Sequence, residues 1–133
     1  MNLLFENAQS KLYYDPSLPA LHHIWNGFVS GAALRESHEA FLQYLPQYGT
    51  GKMLSDARQM RVIRPADQEW IVHNFFPRAL AAGYRCAAIL SSDDMFNQTS
   101  VRNILTQVED QAPFVSAYFQ EPAEARAWLQ AQP

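Results

Sequence analysis

Arg58, Arg61 and Arg64 stand close together just ahead of Pro65, in a stretch that opens at Asp56. Proline suits the first turn of a helix, where its missing N–H has no partner to lose. Guanidinium groups beside the positive end of a helix can hold a carboxylate or a phosphate. The same arginines can also serve as plain surface charges or pair with Asp56, Asp67 and Glu69, and no glycine-rich cradle accompanies them. A second polar cluster, Ser91-Ser92-Asp93-Asp94, follows the most apolar run of the chain. It can supply hydrogen bonds or an oxygen-rich cation site, and it equally suits the turn and cap that begin a helix. Ligands of open α/β sheets bind beyond the carboxyl ends of the parallel strands. Both clusters are expected there, so Asp56, Arg58, Arg61, Arg64, Ser91 and Ser92 form the candidate ligand site.

Other chemistries find less to work with. His22 and His23 are adjacent on an expected strand, so their side chains point to opposite faces and do not readily share a metal. His38 falls in the apolar stripe of a helix, where a partly covered imidazole is the ordinary reading, and His73 stands beside Asn74 near Pro77. No histidine pair at i, i+4 spacing has a carboxylate partner, and Cys86 is the single cysteine, so neither a zinc site nor an internal disulfide is expected. Cys86 lies mid-run among apolar residues and no Gly-x-Ser-x-Gly elbow is present, so no nucleophile is assigned. Gly49-Thr50-Gly51-Lys52 and Trp25-Asn26-Gly27 lack the glycine spacing of phosphate or dinucleotide loops. No cofactor, metal or catalytic residue is expected. Trp70 lies to one side of its helix's apolar stripe, which suits a partner contact or the rim of a pocket.

The elements that must position these residues follow from periodicity and turn chemistry. Leu3 to Asn7 and Lys11 to Tyr14 read as short strands, Asp15-Pro16-Ser17-Leu18-Pro19 as a turn, and Ala20 to Trp25 as a third strand closed by Asn26-Gly27. Connections this short make an antiparallel meander. Leu34, His38, Phe41 and Leu45 then recur at helical spacing after Ser30 as N-cap, with Pro46 and Gly49 ending the helix. Lys52 to Asp56 reads as a strand followed by a polar loop. The next helix begins near Pro65 and is expected to kink or break near Phe76, because Pro77 removes a donor and crowds the carbonyl four residues back. Arg85 to Leu90 is a buried strand, Val101, Ile104, Leu105 and Val108 mark a helix, and Phe114 to Phe119 is a last strand. Pro122 opens a final helix that buries Ala125, Trp128 and Leu129. The alternation predicts one α/β domain over residues 1–133, in which an N-terminal antiparallel β-meander continues into a mixed, partly parallel sheet flanked by about four helices.

Composition bounds what such a domain does. A chain of 133 residues with 48% hydrophobic and 17% charged residues buries a core without help from metal or disulfide. Ten Lys+Arg against thirteen Asp+Glu give a net charge of -3, so no field draws the chain to nucleic acid or anionic lipid. The longest largely apolar stretch, Ala79 to Leu90, falls short of the roughly 20 residues a membrane span needs. The opening residues carry no basic n-region and no extended apolar h-region, so the cytoplasm is the expected compartment.

Phe5-Glu6-Asn7, Tyr13-Tyr14-Asp15-Pro16, Trp25-Asn26-Gly27-Phe28, Asp56-Ala57-Arg58, Asp67-Gln68-Glu69-Trp70 and Phe76-Pro77-Arg78-Ala79-Leu80 together resemble the small bacterial SpoIIAA-like proteins. These are grouped with STAS domains and, through fold, with the lipid-binding SEC14 domains. The resemblance spans nearly the whole chain and implies a fold, since most members of this branch have no assigned activity. In the anti-sigma factor antagonists of the family, a phosphorylatable Ser or Thr follows an Asp at the start of a helix. Here Asp56 is followed by Ala57-Arg58-Gln59-Met60-Arg61-Val62-Ile63-Arg64, with no hydroxyl residue before Pro65, so that role is assigned to no residue.

A non-enzymatic regulatory or protein-interaction module is the first functional expectation. The alternative is a small-ligand protein, for anionic or lipid-like molecules, or an enzyme, using the crevice at the carboxyl ends of the parallel strands. A two-fold homodimer through the N-terminal strands or the helix they pack on is expected as well. Lys11 alone guards the meander, while Phe5, Tyr13, Tyr14, Trp25 and Phe28 crowd that end of the chain.

Overall fold

In the computed structural model, which describes residues 1–133, six strands form one sheet whose spatial order is the chain order. β1 (Asn2–Glu6), β2 (Ser10–Asp15) and β3 (Ala20–Gly27) are antiparallel neighbours, whereas β3, β4 (Lys52–Met60), β5 (Cys86–Leu90) and β6 (Val115–Phe119) run parallel. Helix α1 (Gly31–Tyr48) connects β3 to β4. A helical arm made of α2 (Pro65–Trp70), a π-helical turn (Ile71–Phe75) and α3 (Phe76–Ala81) connects β4 to β5. Helix α4 (Met95–Glu109) connects β5 to β6, and α5 (Pro122–Ala131) follows the last strand. This is the single-domain α/β architecture that the alternation of strand and helix signals predicts.

Each parallel step advances one strand in the same direction, so right-handed crossovers place all three connections on one face. The packing agrees. Leu34, Phe41 and Leu45 of α1, Ile71 and Phe75 of the π turn, and Ile104 and Leu105 of α4 bury with Leu12, Leu21, Trp25, Ala57 and Ile89 of the sheet. On the opposite face Ala125 and Leu129 of α5, with Leu18, pack on Leu54, Cys86, Ala88 and Leu90. Strand alternation assigns each side chain to one layer. All five residues of β5 are buried because this central strand is covered on both faces, which puts Cys86 in the interior.

Polar contacts anchor α5. Arg126 pairs with Asp15 at 2.9 Å, and buried Lys52 donates from Nζ to the carbonyls of Leu129 and Gln132 at 3.1 and 2.6 Å, filling acceptors that the helix end leaves open. Burial would raise the Asp15 pKa, but hydrogen bonds from Ser17 and Arg126 outweigh it and hold the carboxyl at about 2.

Four local features differ from the sequence expectation. β4 does not give way to a loop at Asp56; it runs on to Met60, because the pairing Ile24↔Asp56 continues across a bulge to Asn26↔Gln59 and Gly27↔Met60. Arg58 is therefore a strand residue like Asp56. Helix α1 passes Pro46, which sits exposed in the last turn, and ends only at Gly49, whose N–H donates to the Leu45 carbonyl. Pro77 does not break the helix: the π turn before it absorbs its missing donor, Phe76 N–H reaching back to the Ile71 carbonyl while the backbone stays right-handed helical. Ser30 precedes α1 but its side chain makes no cap; the Asp67 carboxylate does, accepting from Gly31 N–H at 3.2 and 3.3 Å.

Gly51 carries the tightest backbone constraint. Its φ is +69°, and a Cβ there would lie 2.2 Å from the Gly83 carbonyl oxygen and 2.9 Å from Arg85 Cγ, while its own carbonyl accepts from the N–H groups of Arg85 and Cys86. Gly27 also has positive φ, +79°, but nothing lies within 4 Å of its missing Cβ. Gly51→Ala is expected to cost about 3 kcal/mol or more and Gly27→Ala about 1 to 2 kcal/mol, read as urea-unfolding free energies. Equal losses at the two positions would contradict this packing.

Candidate functional site

The six residues expected to share a ligand site do not converge. Asp56 and Arg58 lie on the sheet face that α5 partly covers, locked to each other: Asp56 Oδ1 accepts from Arg58 Nε at 3.0 Å and from its backbone N–H at 3.2 Å, and Oδ2 accepts from Nη2 at 2.8 Å. Burial would raise the Asp56 pKa, but these bonds hold it below the ordinary carboxylate value. Arg64 lies on the helical face, where its Nε donates to buried Asp67 at 2.9 Å. Arg61 is exposed, and its contribution is through the backbone, N–H to the Gly27 carbonyl at 3.0 Å and carbonyl from Asn97 Nδ2 at 2.7 Å. Buried Ser92 donates to the Met60 carbonyl at 2.7 Å, and Asp94 caps α4 by accepting from Phe96 N–H at 2.9 Å. Ser91 and Ser92 line a separate crevice of about 10 Å³ with Asn97, Gln98, Arg102 and Tyr118.

Trp70 is partly buried on the arm. The guanidinium carbons of Arg35 and Arg78 lie 5.3 and 6.0 Å from its ring centroid, and the His38 ring meets it edge-on at 5.8 Å. The aromatic residues of the N-terminal strands are likewise mostly engaged within the chain: Trp25 is buried, Tyr14 stacks on Tyr48 at 4.1 Å, and Phe28 alone of the five is exposed.

A different site stands out inside the helical face. A space of about 80 Å³ lies between the sheet and the three connections, bounded by His23 and Trp25 of β3, Met53, Ser55 and Ala57 of β4, and His38 and Phe41 of α1. The π turn contributes Ile71 and Phe75, and Tyr84, Ile89 and Ile104 close it. On the same scale an apolar cavity of about 150 Å³ takes up benzene, so this one admits a molecule of a few heavy atoms. The extra residue of the π turn widens the arm where it meets the space, and such turns recur at functional sites.

Its polar groups are few and uncharged. His23, 2% exposed, stacks on Trp25 at 3.9 Å and makes no hydrogen bond within the protein. Burial, reinforced by the neighbouring His38 and His22, holds its pKa well below the ordinary imidazole value. His38 Nδ1 donates to the Leu34 carbonyl at 2.8 Å, which leaves Nε2 with a free lone pair, and burial lowers its pKa to about 4. Tyr84 is 3% exposed with an unpaired hydroxyl, and burial pushes its pKa far up. The buried Ser55 hydroxyl is unpaired too. No Lys, Arg, Asp or Glu lines the space.

His22, on the other face of the same strand, has Nδ1 3.2 Å from Met1 Sδ and Nε2 shut away from solvent without a partner. No group of three or more His, Cys, Asp or Glu side chains comes together so as to hold a metal ion. Sequence reasoning missed His23, Ser55 and Tyr84 as a set. The signal available was polar residues at inward strand positions: His23 between Leu21 and Trp25, and Ser55 between Met53 and Ala57. Comparison of the chain with family models, with curated proteins and with solved structures finds no match.

The depressed histidines set a pH dependence. A base whose folded pKa lies below its unfolded value takes up its proton first in the unfolded chain, so stability is complete above pH 6.5 and falls as pH drops toward 4. His38 alone accounts for about 3 kcal/mol across that window. His38→Gln, which keeps a donor for Leu34, is expected to flatten the unfolding free energy between pH 6 and 4 relative to wild type. Parallel curves would reject the assignment.

Proposed function

We propose that this protein is a binding module for a small molecule held in the space beneath α1 and the π turn. One observation carries the reading: polar groups with unused hydrogen-bonding capacity sit in an otherwise apolar interior. Buried polar groups are nearly always partnered. The cavity groups make no side-chain hydrogen bond that closes this capacity, and they keep slight exposure to the space they line, whereas the one atom shut off from both solvent and partners, His22 Nε2, lies on the other face of the sheet. A ligand that reaches the cavity groups completes hydrogen bonds that the protein leaves open toward the space. Neither His23 nor His38 is hydrogen-bonded to a carboxylate or a hydroxyl, and both are held neutral, so the geometry favours retention of a molecule over proton transfer to it. This keeps the small-ligand function but moves its site from the strand-end crevice to the interior. Kinship with the SpoIIAA-like and SEC14-related domains is part of the proposal, supported by the short motifs and by the order of strands and helices. A cytoplasmic setting belongs to it too; no helix is long and apolar enough to cross a membrane.

Contact with another protein is the second reading, and it has its own observation. Phe28, Val62, Met95 and Phe96 are 39%, 38%, 75% and 74% exposed, and all four follow the carboxyl ends of β3, β4 and β5. Apolar side chains gathered at one end of a domain are a recurrent mark of an interaction surface. Homodimer formation through the β1 edge, where Leu3 is 51% exposed, falls under the same reading.

A thermal-shift screen across neutral small molecules, carboxylates, nucleotides and lipids tests the leading reading. A ligand at a hundred times its dissociation constant adds about 2.7 kcal/mol of stability. At least one neutral compound is expected to raise Tm for wild type and to lose most of that effect in Ala57→Val, whose extra methyl groups occupy the space. No shift with any class, or a shift unchanged in Ala57→Val, would sink it.

A further inference from the structure

The chemistry of the cavity wall selects among ligands. This selection rests on the reading that the space binds a small molecule. We infer that the ligand is an uncharged molecule with a compact apolar body and one hydroxyl or carbonyl group, gripped by the imidazole of His23 and the hydroxyls of Ser55 and Tyr84.

Charge is the first discriminant. No ionic side chain faces the space to compensate a carboxylate, phosphate or ammonium, and transfer of an unpaired charge into such surroundings is far more costly than transfer of a neutral polar group. The imidazoles cannot stand in as cations, since burial keeps His38 neutral down to about pH 4 and depresses His23 as well. Hydrogen bonding is the second. Ser55 and Tyr84 hydroxyls each donate or accept, and a neutral His23 without a protein partner is free to present either tautomer. His38 Nε2 can only accept. Such a set matches a hydroxyl, which does both, or a carbonyl, which needs a donor; a hydrocarbon leaves all of it unsatisfied. Size is the third. About 80 Å³ restricts the body to a small ring or short branched chain, with the flexible Met53 and Met60 side chains able to adjust around it.

The test uses the intact protein, with isoleucine and methionine methyl groups labelled for NMR, so that Ile71, Ile89, Ile104 and Met53 report from the cavity wall. Cyclobutanol, cyclobutanone, cyclopentane and cyclobutylammonium have the same number of heavy atoms, and cyclopropanecarboxylate supplies the anion. Cyclobutanol and cyclobutanone are expected to shift these methyl signals saturably. Cyclopentane should bind about five- to tenfold more weakly, and the two ions should leave the signals unmoved. Ser55→Ala with Tyr84→Phe removes two hydroxyls at nearly constant shape, so cyclobutanol should lose about tenfold or more in affinity while cyclopentane keeps its own. His23→Leu should weaken cyclobutanol in the same direction.

Cyclopentane binding as tightly as cyclobutanol, either ion perturbing the same methyls, or the alcohol preference surviving in both variants would overturn the assignment of ligand class while leaving the cavity as a binding site. Failure of every compound to move the methyl signals would overturn the cavity reading itself, and this inference with it.

Discussion

Handedness, applied three times in the same direction, governs this molecule. The chain crosses its sheet one strand at a time from β3 to β6, and a right-handed crossover at each step leaves the connecting helix on the same side. One face therefore carries α1, the helical arm and α4, and the other receives α5. Three connections of unequal length must share the surface of four parallel strands. The arm meets this demand with a π turn, and the fit leaves a space where α1, the arm and α4 come nearest one another over β3, β4 and β5. The lightly covered face solves a different problem with polar contacts, as Asp15 with Arg126 and Lys52 with the last carbonyls of α5 hold the helix over its small cluster.

The strand alternation that builds the layers also divides the chemistry. Adjacent histidines are separated by the thickness of the sheet: His22 sits against Met1 on the open side, and His23 stacks on Trp25 in the crowded layer. Burial keeps the inner imidazole, His38 and Tyr84 in their neutral forms, so the cavity offers hydrogen bonds without fields. Charged side chains near the strand ends are spent elsewhere. Arg58 satisfies Asp56 within one strand, and Arg64 holds the Asp67 carboxylate that caps α1.

Where the sequence carried strong periodicity it described the fold well. The continuous apolar run at Cys86–Leu90, the helical stripe of Leu34, Phe41 and Leu45, and the turn chemistry around Pro16 and Pro19 all map onto elements of the expected type. Legibility failed where a local signal competed with pairing. The residues after Asp56 read as a polar loop, yet Asp56 and Arg58, as an i, i+2 pair on a thinly covered face, neutralise each other and leave the strand free to continue. Pro77 read as a break because the sequence does not reveal that one extra residue in the preceding turn can absorb its missing donor. The cavity was the least legible feature, since it depends on which inward residues end up facing one another across layers joined through distant parts of the chain. A cluster of like residues in sequence, as with Arg58, Arg61 and Arg64, gave no such juxtaposition; their positions on a bulged strand and at a helix start sent them to opposite faces or out to solvent.

The central claim is that the crowded layer encloses a space open to small molecules and bounded by His23, Tyr84, Ile89 and Ile104. Crystals of the protein pressurised with xenon test it most directly, because xenon enters apolar cavities of this kind and its anomalous signal marks where it rests. The account predicts a xenon peak within that boundary, with the surrounding rings unmoved. A structure in which the side chains of Phe75 or Met60 fill the space and no xenon is found there would contradict it.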